Sequence, residues 1–153
     1  MEKDKLYMQE VADRYRPDVE KLAKYIPWLE SKVGILTSSM YKGEGIEVNS
    51  VSFPVYDATL MSFVREAGQT GLMERNYAYV YSRNRIRTVE AEQLLIERAT
   101  IREMDMLRGI LSKYVLGGRT KGRLWTEGVS NGSILKVVRK MKEVLEYWDR
   151  PVR

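Results

Sequence analysis

Cysteine and histidine are both absent from the 153 residues. Without cysteine there is no disulfide and no thiolate nucleophile, and without histidine there is no Ser-His-Asp triad. Without either, haem, iron–sulfur clusters and zinc sites of the usual kind are excluded, so no metal or cofactor is expected. No stretch approaches the ~18 consecutive apolar residues that cross a bilayer. The opening Met1-Glu-Lys-Asp-Lys alternates in charge and leads into no apolar signal region, so the sequence reads as cytoplasmic, with no membrane segment.

What is present is ordinary globular material, 44% hydrophobic and 31% charged, at a length that suits one domain. The net charge of +5 is unevenly spread. Residues 1–107 carry a net −2 and residues 108–153 a net +7. A basic C-terminal third suits an acidic partner, either nucleic acid or an acidic protein surface; it also suits a solvated face that keeps a small domain soluble.

Apolar residues recur at near-helical spacing along most of the chain. Leu6, Val11, Val19, Leu22, Ile26, Leu29 and Val33 mark a first amphipathic stretch, read as helices Lys3–Tyr15 and Pro17–Lys32 or as one helix broken at Pro17, with a kink at Pro27 and a C-cap at Gly34. The Ser, Gly, Asn and charged composition of residues 37–52 predicts a mobile loop. Asp57 reads as the N-cap of a short helix bearing Leu60, Phe63, Val64 and Ala67, closed by Gly68 and Gly71.

Residues 72–87 suit a strand by the alternation of Tyr77, Tyr79 and Tyr81, and a helix by Met73, Tyr77, Val80 and Tyr81. Helix is favoured, since a lone strand has no partner. Thr88 caps a longer helix ending at Gly117-Gly118, and the capping-box pattern Thr100-Ile-Arg-Glu103 allows a restart near Ala99. A basic, polar loop is expected over 117–131, then a last helix from Ser133 with the stripe Ile134, Leu135, Val138, Met141, Leu145 and Trp148. The fold predicted is all-α, one domain over 1–153, of five or six helices. Trp28, Trp125 and Trp148 should meet in or near the core, which eight methionines soften.

Two segments carry candidate binding chemistry. Gly117-Gly-Arg-Thr-Lys-Gly-Arg-Leu-Trp125 lacks the order of a P-loop and follows a helix instead of a strand. It nevertheless places Arg119, Lys121 and Arg123 beside backbone amides that two glycines could free for an anion. Tyr77 to Arg87 interleaves tyrosines with Arg83, Arg85 and Arg87, as a surface for single-stranded nucleic acid does, with aromatic faces for bases and guanidinium groups for phosphates. If the segment is helical the tyrosines scatter around it and some must be core; Tyr79 is counted among the binding candidates. Carboxylates at helical spacing, among them Asp13, Glu20, Glu92, Glu97 and Glu103, read as partners in surface ion pairs. Glu127, after Trp125, can pair with Arg119 or Arg123. The pair Glu127 and Arg119 is also the only base-and-clamp combination near a glycine-rich turn, a slender basis for an enzyme acting on a phosphorylated small molecule.

Tyr114-Val-Leu-Gly-Gly118, the basic segment through Trp125, Glu127-Gly-Val129, the last helix with Lys140-Met-Lys-Glu143, and Lys24-Tyr-Ile-Pro-Trp28 together resemble a family of small proteins of Firmicutes, their phages and integrative elements, defined by a domain of unknown function. The resemblance covers about two-thirds of the chain. Relatives often carry Cys and Asp after the long helix, where this chain has Gly, Lys and Arg. The resemblance implies no catalytic residues. It implies a mobile-element setting in which a non-enzymatic protein binds and blocks a host factor, and a CRISPR-type defence nuclease with its charged channels is a fitting target. A direct nucleic-acid binder is the alternative.

Overall fold

The computed structural model describes residues 2–35, 38–41 and 53–149. Its first helix, α1 (Glu2–Ala23), buries Val11, Ala12, Tyr15, Val19 and Leu22 along one face. It runs through Pro17, contrary to the break expected there. The proline ring removes one main-chain hydrogen bond and crowds the preceding turn, at about 3 kcal/mol. Burial of Val19 and Leu22 just beyond it is worth about 1.5–3 kcal/mol each, which outweighs that cost. The interruption falls instead at Lys24–Tyr25, and α2 (Ile26–Lys32) begins there with Pro27 in its first turn, where no intrahelical N–H is needed. No kink therefore forms at Pro27. Gly34, at φ +80°, lies just past α2 as expected, and its N–H donates to the Ser130 carbonyl at 2.7 Å.

Strand β1 (Ser38–Tyr41) pairs antiparallel with β2 (Phe53–Tyr56), Ser38 opposite Tyr56 and Tyr41 opposite Phe53. The loop predicted at 37–52 is thus a strand over 38–41, and its other positions lie outside the described residues. The ribbon escaped the sequence reading because each strand is four residues long and finds its partner only across the intervening segment. The fold remains mainly helical.

Helix α3 (Ala58–Gly68) starts where Asp57 accepts the N–H groups of Thr59 and Leu60 at 2.7 and 3.3 Å, and it buries Leu60, Phe63, Val64 and Ala67 as expected. The short α4 (Tyr77–Arg83) confirms helix in the ambiguous tyrosine segment. Helix α5 (Val89–Arg98) is capped by Thr88. A 3₁₀ turn, Ile101–Glu103, with the Thr100–Glu103 capping box, separates it from α6 (Met104–Gly117). The restart near Ala99 is as the box predicts.

Ten of the fourteen residues of α6 are buried, so this helix is enclosed over most of its surface and forms the centre of the core. A tight turn at 118–122 leads to α7 (Arg123–Ser130), and α8 (Ser133–Asp149) closes the fold against α1, α2, α5, α6 and α7. The polar loop expected over 117–131 is therefore mostly helix. Val129 and the small Gly128 face inward, so its sparse apolar content is concentrated on one side. Trp28 and Trp125 are half-buried against the core, while the Trp148 side chain lies outside the described part. Among the described residues there are eight α-helices, where five or six were expected, because longer stretches divide at Lys24–Tyr25 and near Ala99 and because α7 forms within the segment expected as a loop. No described helix is long and apolar enough to cross a membrane.

Candidate anion-binding face

Glycine at position 109 lets α4 lie close on α6. A Cβ at Gly109 would stand 2.6–2.8 Å from three carbons of Val80, and one at Gly117 would stand 3.5 Å from the Tyr77 hydroxyl. Tyr81, on the same inner side, donates its hydroxyl to Glu92 at 2.6 Å. These contacts fix which way α4 faces. Tyr77, Val80 and Tyr81 point inward and are half-buried, whereas Ala78, Tyr79, Ser82 and Arg83 are exposed, Tyr79 to 56%. The three alternating tyrosines are thus divided by the helix, two for packing and one for solvent.

The end of α4 is a Schellman turn. Ile86 N–H donates to the Tyr81 carbonyl at 3.0 Å and Arg85 N–H to the Ser82 carbonyl at 3.2 Å. Arg85 occupies the left-handed position of this motif at φ 55°, where glycine is usual. Holding an L side chain there costs about 1–2 kcal/mol. Its side chain, with those of Arg83 and Arg87, projects into solvent.

Arg75, Arg83, Arg85 and Arg87 have no ion-pair partner among the described residues, and no Asp or Glu occurs between positions 75 and 89. Several cations elsewhere on the surface are matched. Lys24 meets Glu66 at 2.8 Å, Arg139 meets Glu30 at 2.6 Å, and Lys136 meets Glu97 at 3.4 Å. Four guanidinium groups without an ion pair among the described residues thus lie on and beside α4, the helix that also carries the exposed Tyr79.

The second basic segment is more committed to the fold. The amides of Gly118, Arg119, Thr120 and Lys121 all donate to carbonyls of residues 114–117, so the free amides expected beside the glycines are taken. This follows from a helix that tightens into its own C-terminal turn. The Arg119 guanidinium lies on Gly68, where a Cβ would sit 2.5 Å from its Nη2, at the C-terminal end of α3 where a cation is favoured. Lys121 is exposed, and Arg123 is 4.0 Å from Glu127 one turn along α7. Of the two partners offered to Glu127, the structure selects Arg123. Trp125 covers Gly118, donates its indole N–H to the Val115 carbonyl at 2.9 Å, and packs edge-on to Tyr56 with ring centres 5.4 Å apart. It is a packing residue here. Tyr77 touches this turn from the first residue of α4, whereas Arg83, Arg85 and Arg87 gather at and beyond the other end of that helix, about 10 Å away for seven residues.

One polar cluster departs from the sequence expectation. Glu92, expected in surface ion pairing, is 1% exposed. It accepts the hydroxyls of Tyr81 and Tyr114, both at 2.6 Å, with Lys113 Nζ 3.8 Å away and lying over both rings. Burial, followed by the charge of Glu92, holds both phenols protonated far above the ordinary tyrosine range. The partners come from α4 and α6, 11 and 22 residues away, which periodicity within α5 cannot reveal. Glu97 and Asp13, by contrast, pair at the surface as expected, with Lys136 and Arg16. A cleft of about 480 Å³ lies between α1, the 3₁₀ turn and α8, away from α4, lined by Met8, Ile101, Arg102, Val144 and Tyr147.

The chain matches no family model, no curated protein and no solved structure.

Proposed function

We propose that the protein works by binding, without catalysis, and that its working surface is the outer side of α4 with the turn into α5, taking an anionic macromolecule. The observation that carries this reading is the set Arg75, Arg83, Arg85 and Arg87, exposed and without an ion pair among the described residues, one of them held at a backbone position that favours glycine. Guanidinium groups in such a cluster suit phosphate and carboxylate alike, through paired N–H donors. Arg119, Lys121 and Arg123 lie toward the other end of α4, with Arg119 packed on Gly68 and Arg123 paired with Glu127. A host nuclease, the target implied by the family resemblance, is one partner of this chemistry.

The test is retention on immobilised heparin. Replacing Arg83, Arg85 and Arg87 with serine should lower the eluting salt concentration more than replacing Lys3, Lys5 and Arg98, which removes the same charge elsewhere. Equal shifts from the two triple variants would show that net charge, not this face, governs binding. Melting curves confirm that both variants fold, since exposed substitutions usually cost less than about 0.5 kcal/mol each.

A further inference from the structure

We infer that the outer face of α4 takes single-stranded nucleic acid, with one base stacked on Tyr79 and the flanking phosphates paired with Arg75 and Arg83. This rests on the anion-binding reading above and narrows it to one class of partner.

Tyr79 has most of its side chain in solvent, yet it is carried by a helix pinned from behind through Val80 on Gly109 and Tyr81 on Glu92. The ring is thus offered on a fixed support. Its exposed neighbours on the helix surface are Arg75, Asn76, Ala78, Ser82 and Arg83, none of them acidic. Ala78 and Ser82 are too short to cover the ring, so a planar group can reach its face. Arg83 follows one helical turn later, about 6 Å along the axis, and Arg75 stands in the turn that leads into the helix. Arg85 and Arg87 continue the cationic track beyond it.

This arrangement separates three partners. An acidic protein would satisfy the arginines but gain nothing from the face of Tyr79, whose quadrupole is negative and repels a carboxylate. A duplex offers phosphates but keeps its base faces inside the stack. An unpaired strand offers both, with splayed bases stacking on aromatic rings while the backbone follows the cations.

The experiment is fluorescence anisotropy of the full chain with a labelled single-stranded oligonucleotide of about 16 nucleotides, within the span of known single-strand sites, against the duplex of the same sequence. Wild type should prefer the single strand. Tyr79→Ala should weaken single-strand binding about 5- to 150-fold while leaving its salt dependence unchanged, and Tyr79→Phe should restore it. Replacing Arg83 and Arg87 should instead make the log–log salt slope shallower by about 0.7 for each phosphate no longer neutralised. Binding that ignores Tyr79→Ala, or a duplex bound as tightly as the strand, overturns the inference. If heparin retention still depends on the arginines in that case, the anion-binding face stands and its partner is not a single strand. If neither oligonucleotide nor heparin is held, both readings fall.

Discussion

At Glu92 a single carboxylate joins three helices by accepting two phenolic hydrogen bonds. Replacing it with alanine leaves the Tyr81 and Tyr114 hydroxyls in the interior without that acceptor, at about 1–3 kcal/mol apiece. Glu92→Ala is therefore expected to lower the unfolding free energy by about 2–6 kcal/mol in urea titration, a large share of a typical 5–15 kcal/mol. Glu92→Gln, which keeps an acceptor, should cost less. The same phenols set the alkaline limit. Burial, then its hydrogen bond to Glu66, raises Tyr25 to about 12, and Tyr81 and Tyr114 are raised further. A phenol whose folded pKa exceeds its unfolded value of about 10 stabilises fully below pH 10, and that stability declines progressively as pH rises from 10 through the folded value. Stability measured between pH 10 and 12 should fall steeply in wild type and less steeply in Tyr114→Phe. A flat wild-type profile would sink this account. Glu92 was illegible in the sequence because a carboxylate on a charged helix resembles any surface acid until its distant partners are known, whereas the caps Asp57 and Thr88 were legible because their chemistry is local.

Among the elements, α4 depends on glycine in its neighbour. Gly109→Ala would drive a methyl into Val80, whose branched carbons cannot swing aside, and overpacking of this kind costs about 1–3 kcal/mol. Thermal melts should register that loss, together with weaker polyanion binding as α4 is displaced. The turn after α4 predicts the opposite sign. Arg85→Gly relieves the left-handed strain, offset in part by the looser unfolded chain, so the melting temperature should rise or hold while heparin affinity falls. A drop in both would mean that the Arg85 side chain serves packing. Sequence pattern located most helices because each buries a continuous stripe. It failed at Pro17, where burial downstream of the ring outweighs the local penalty, and at β1 and β2, whose pairing is non-local.

For the molecule as a whole, binding and folding are linked. A polyanion that binds only the folded chain should raise stability by about 2.7 kcal/mol at a hundred times its dissociation constant, seen as a higher melting temperature that disappears when Arg83, Arg85 and Arg87 are replaced. The arginine face was half legible, since composition exposed the charges, but only the packing of α4 showed which tyrosine stays outside and that Trp125 does not. One property of α4 reaches beyond recognition. It contains no fully buried residue, while the α6 it lies on is enclosed almost everywhere. Lifting α4 away accordingly takes a fraction of the free energy needed to open the core, so the amide protons of 77–83 should exchange with deuterium well before those of α6. Trypsin should find Arg83, Arg85 and Arg87 first, nicking the chain there while the remaining helices hold together, and a bound strand should shield those bonds from the protease.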